Sequence, residues 1–163
     1  MSSNARKQRI ETYGTAHQTF VAALERFPRE MWHFRPASDQ WTIHEIIVHI
    51  ADSEAIGYVR CRRFLAEPGS SILGYDESTW ARELVYDGQS TDDALELFKW
   101  LRHNSYALIR DLPESAWSNT AVHSESGSMT LDDWFDLYAR HIPDHIEQMQ
   151  GIFEAWLRQR GAG

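Results

Sequence analysis

The chain has 163 residues, 42% of them apolar, with seven tryptophans, one cysteine and a formal charge of −8 at neutral pH, material enough for a single domain over 1–163 around one buried core. The acidity is spread along the chain and the basic groups gather only in short runs such as Arg60-Cys61-Arg62-Arg63, which excludes the basic footprint of a nucleic-acid binder. No apolar stretch approaches the ~20 residues of a spanning helix, and Met1 to Lys7 lead into no apolar segment, so neither a membrane partner nor a secretion signal is expected and the cytoplasm is the expected location.

The first element in chain order is a helix over about residues 6–27, with Ile10, Tyr13, His17, Phe20, Val21, Leu24 and Phe27 on one stripe and Pro28 marking its end. A loop through Arg35-Pro36-Ala37 leads to a second helix. It starts at Trp41-Thr42, where Thr42 and Glu45 match a capping box, and runs to about Glu67-Pro68-Gly69. Cys61 lies in its apolar pattern, which suits packing in a reducing compartment better than a nucleophile. Ser70 to Gln89 reads as a crossover with one short helix near Glu77–Leu84. The third helix opens at Ser90-Thr91-Asp92-Asp93 and continues to Leu112-Pro113. Residues 114–129 form a polar excursion with an extended stretch. The fourth helix opens at Thr130-Leu131-Asp132-Asp133, two carboxylates at the positive end of its dipole, and its stripe is Leu131, Trp134, Tyr138, His141, His145, Met149, Ile152 and Trp156. Four such segments, with nearly all the proline between them, predict an all-α four-helix bundle with a short crossover helix.

The chemistry lies in the histidines. His141 and His145 are one turn apart, so their side chains leave a helix only about 40° apart and a single divalent ion can take both while a third ligand arrives from a neighbouring helix. Two unpaired imidazoles in an apolar stripe are costly to bury unless a shared partner satisfies them. Pro143, between them, frees the carbonyl of Ala139 and bends the axis, either toward the site or simply around the core if it lies on the outer face. In the second helix His44 and His49 are five apart. At about 100° per residue the two rings point about 140° apart, so only one can join the ion and the zinc-protease helix pattern does not apply. His44, beside the cap, is expected to face solvent. His49 is the ligand, with Glu45 one turn before it and Asp52 nearly one turn after, either of which could orient its ring and relay a proton.

The stretch from Trp41 through His49 to Glu54, with Gly127-Ser128-Met129-Thr130-Leu131 and then His141-Ile142-Pro143-Asp144-His145-Ile146-Glu147-Gln148, resembles the DinB-like (YfiT-like) superfamily of metal-dependent enzymes. The resemblance covers essentially the whole chain. It implies an up-down-down-up bundle, a divalent ion held at one end by His49, His141 and His145, and a homodimer. Members of the family include thiol S-transferases that use bacillithiol, and mycothiol-dependent isomerases are relatives.

The expected protein is therefore an enzyme with Zn²⁺ or Ni²⁺ on three imidazoles, activating water or a low-molecular-weight thiol against a small-molecule substrate, with Asp52 or Glu45 as proton relay. The competing reading is a non-catalytic metal- or small-molecule-binding bundle. It would require a closed site, completed by a fourth ligand such as His17 or His103. His123, in the polar excursion, is a candidate at the cavity mouth, or else a loop-capping residue.

Overall fold

The structure, a computed structural model, describes residues 3–161. Its helices are α1 (Ser3–Leu24), α2 (Ile43–Ala66), the short α3 (Glu77–Glu83), α4 (Thr91–Ile109) and α5 (Leu131–Gly161). The chemistry of the ends explains the boundaries. α1 tightens into i→i−3 bonds at Arg26 and Phe27 before Pro28, which has no N–H to continue it. At α2 both halves of the capping box are made: the Glu45 N–H donates to Thr42 Oγ1 at 3.1 Å and the Thr42 N–H donates to Glu45 Oε2 at 2.8 Å. Thr130 and Asp133 repeat the arrangement before α5, and Ser90 caps α4.

α1 packs against α4 and α5, and α2 packs against the same two, so α1 and α2 face each other across the bundle. The pairings give the directions. Phe20 meets Phe98 and Glu11 meets Tyr106, so α1 and α4 are antiparallel. Arg6 meets Asp132 and Phe27 meets Phe153, so α1 and α5 are parallel. His44 reaches Gln89 and Glu54 reaches Arg102, making α2 and α4 parallel. The four long helices thus run up, down, down and up.

The polar excursion is more ordered than a helical bundle requires. β2 (Thr120–His123) and β3 (Gly127–Thr130) form a hairpin, and β1 (Ser71–Ile72) pairs with β2 in parallel, Ser71 opposite Val122. Gly127 turns the hairpin at φ +74°, a conformation L side chains rarely adopt. Ile72 and Ala121 point inward and are buried, tying the small sheet to the core around Phe64, Trp117 and Trp134.

Two apolar clusters fill the bundle, one around Phe20, Ile46, Phe98 and Met149, the other around Tyr13, Phe64, Trp134 and Phe135. Between α2 and α4 a buried ion pair joins them. Arg102 donates to both oxygens of Glu54, at 3.0 and 2.6 Å, and Tyr13 donates its hydroxyl to Glu54 at 2.9 Å. The Arg102 guanidinium lies 3.8 Å from the Tyr13 ring centre and 5.2 Å from that of Phe98. Cys61 is fully buried and burial raises its pKa to about 12, so it stays a thiol and packs.

Candidate metal centre

α2 and α5 run antiparallel past each other, and their facing surfaces bring His49, His141 and His145 together. Nε2 of His141 lies 3.3 Å from Nε2 of His49 and 3.0 Å from Nε2 of His145, and among the described residues these three form the group able to hold a metal ion. α5 stays helical through Pro143, which is exposed, so the missing hydrogen bond falls on the outer face and leaves the site intact.

A neutral imidazole nitrogen offers either one hydrogen or one lone pair in the ring plane. His141 Nε2 therefore cannot complete well-directed hydrogen bonds to both neighbours at once, whereas three lone pairs converging on a cation would satisfy all three Nε2 atoms. The electrostatics favour that state. Burial lowers the His49 pKa to about 3, with the His145 charge acting in the same sense. His141 is held well below the usual imidazole value by burial, then by His145, His49 and Arg102. Burial also lowers His145, against the hydrogen bond its ring donates to Gln148 and the charge of Asp144. The rings are neutral donors at neutral pH, as a metal requires.

The surroundings differ in part from the expectation. Neither Glu45 nor Asp52 receives the second nitrogen of His49. Glu45 is committed to the helix cap and to Arg35, which donates to its Oε1 at 2.7 Å, and Asp52 Oδ2 accepts the Tyr86 hydroxyl at 2.6 Å. Nδ1 of His49 and Nδ1 of His141 are buried without a hydrogen-bond partner. Aromatic packing orients the rings instead, with Trp41 4.6 Å from His49 and Tyr138 6.0 Å from His141, centre to centre. Only His145 has a polar anchor, Nδ1 to Gln148 Oε1 at 2.9 Å, which directs its Nε2 lone pair at the other rings. Trp41 and Gln148 were not visible as site residues in the sequence. The signals were their positions, one residue before the cap of the ligand helix and three residues after the last ligand.

The other histidines lie elsewhere. His44 is buried, contrary to the expectation of a solvent-facing ring, because its Nε2 bonds to the Gln89 carbonyl oxygen at 2.9 Å where α2 and α4 begin side by side. His17 and His103 share a separate recess between α1 and α4 with Lys99 and Trp100, and neither joins the cluster. His123 Nδ1 accepts backbone N–H groups of Glu125 and Ser126 at 3.2 and 3.3 Å, closing the hairpin turn.

Comparison with known proteins agrees with this geometry. The family model of the DinB superfamily matches residues 12–149. A protein of Oceanobacillus iheyensis named "Putative metal-dependent hydrolase" is 31% identical over 115 residues, 71% of this chain and 66% of that protein. The protein of the same description from Bacillus subtilis, YfiT, is 29% identical over 65% of this chain and 60% of its own length, and one from Bacillus cereus is 27% identical over 82% and 83%. The chain thus spans 66% and 60% of the lengths of the first two of these relatives, less than two thirds of each. A solved structure of YfiT from Bacillus subtilis, described as a "probable metal-dependent hydrolase with an unusual four-helix bundle topology", superposes with a TM-score of 0.86 at 22% identity, over 99% of this chain and 90% of that one. On the extent of the family match, the chain belongs to the DinB superfamily.

Proposed function

We propose that the protein is a metal-dependent enzyme acting on a small molecule, with a divalent ion held by His49, His141 and His145. The observation that carries this reading is the convergence of one ring nitrogen from each of His49, His141 and His145 within 4.8 Å of one another, with His49 buried and the other two half-buried. The donor set fits: three imidazoles suit Zn²⁺ or Ni²⁺, and no fourth protein ligand joins them among the described residues. When bound, such an ion supplies a Lewis acid with a free coordination position, at which water or a thiol loses its proton near neutral pH.

The residues of the chain divide the remaining work. The three rings would fix the position of charge, with Trp41 packed on His49, Tyr138 beside His141 and Gln148 bonded to His145. Asp52, nearly one turn beyond His49 and held through Oδ2 by the Tyr86 hydroxyl, is the carboxylate that would relay the proton. Glu45 serves the helix cap. With water the outcome is hydrolysis, the activity for which the relatives are named; with a thiol it is transfer to an electrophile.

Elemental analysis of untagged protein tests the reading. About one Zn or Ni per chain is expected, lost in His49→Ala, His141→Ala and His145→Ala. In His145→Ala thermal stability should fall together with metal content, and full metal content in that variant would refute the assignment.

A further inference from the structure

Beside the histidine cluster, between α5 and the loop before α2, lies a groove of about 590 Å³. Trp41, Gln148, Gly151, Ile152 and Arg158 are among the residues that line it. Two features connect it to the site. Trp41 packs on His49 at 4.6 Å and Gln148 bonds to His145 at 2.9 Å, so two side chains that line the groove each contact one of the three imidazoles. The lining also has a definite chemistry. It contains an indole and an isoleucine, one cation and no carboxylate, in a chain whose net charge is −8.

We infer that this groove docks the non-reacting part of the substrate, and that this part is a small organic carboxylate with an apolar body. The apolar body lies along Trp41 and Ile152, the carboxylate meets Arg158, and the reacting end passes Gln148 toward the histidines. Arg158 forms no ion pair among the described residues, so its guanidinium is available to a ligand. The volume suits a small molecule, and binding of a remote part is how an enzyme places a reacting group. The role in turnover rests on the metal-centre reading; the binding does not, because no metal ligand lines the groove.

Gly151 supplies the test. A Cβ added there meets nothing within 4 Å, so a larger side chain enters the groove without a clash and replaces a helical glycine with a better helix former. Binding of 3-phenylpropionate and of its neutral counterpart 3-phenylpropanamide is measured by calorimetry on metal-free and metal-loaded protein, with metal content followed in parallel. The acid should bind about five- to tenfold more tightly than the amide, the worth of one charge-assisted contact at a half-exposed site. Arg158→Gln should remove that difference by weakening the acid alone. Gly151→Leu should weaken both probes more than tenfold while keeping the metal and the fold. Failure of both probes to bind the wild-type protein, equal affinities for acid and amide, or unchanged binding in Gly151→Leu would overturn the inference. Absence of metal with these binding results intact would instead count against the metal-centre reading.

Discussion

Acid should destabilise the metal-free protein through its own ligands, and His49 sets a scale. Its pKa falls from an ordinary 6.5 to about 3 on folding, so below pH 6.5 the unfolded chain takes up a proton that the folded chain refuses. The contribution is present in full above pH 6.5 and is lost progressively as pH drops through the window from 6.5 to 3. At pH 5 the unfolded imidazole is almost wholly charged and the folded one almost wholly neutral, and the difference is worth about 2 kcal/mol relative to pH 8. His141 and His145 shift in the same direction and add to the loss. Urea unfolding of chelator-treated wild-type and His49→Gln protein at pH 8 and pH 5 isolates the residue, since the other titrations are common to both. The wild type should lose about 2 kcal/mol more than the variant over this interval. Equal losses would show that His49 is accessible to protons, and the argument from burial would fail.

Three further outcomes can be checked by the same unfolding assay. Gly57 lets α2 approach α5, and a Cβ there would lie 2.3 Å from Tyr138 Cε1, so Gly57→Ala should cost about 1–3 kcal/mol and, by moving the ring beside His141, weaken metal binding; a variant with wild-type stability and wild-type metal affinity would contradict this. Arg102→Leu leaves Glu54 charged and buried, an expected loss of about 3–5 kcal/mol, whereas the double change Glu54→Leu with Arg102→Leu should recover most of it. Val85 has φ 51°, a strained value for a β-branched residue in a position that is 63% exposed, and Val85→Gly should stabilise the protein by about 1 kcal/mol; a destabilised variant would show that the strain is absent.

The elements legible in the sequence were those whose signals are local. The capping box at Thr42 and Glu45 was made as read, and the angular argument that separated His49 from His44 held because both rings project from one regular helix. The pairing of His141 with His145 needed only the helical period. What was not legible depends on partners distant in the chain. His17 lies on the inner stripe of its helix, yet α1 and α2 face each other diagonally, so it ends in a different recess. Glu54 and Arg102 read as ordinary helix charges, and nothing in their spacing announces a buried pair formed across 48 positions. The same limit hid β1, two residues long and paired in parallel with a strand some fifty residues later. Neither carboxylate near His49 reaches its ring, because Glu45 is occupied by the helix end and Arg35 and Asp52 Oδ2 by the Tyr86 hydroxyl.

The ligand set spans the helix order in a way that bears on kinetics. His49 and His141 are 92 positions apart, on helices separated by the crossover, α4 and the hairpin, so a partly folded chain that lacks α5 has one ligand out of three. An ion can therefore add its full grip only after the last helix has docked, when most of the barrier to folding has been crossed. In such a protein the metal leaves the folding rate nearly unchanged and slows unfolding. The contribution of an ion bound as proposed would be measured in the lifetime of the native state.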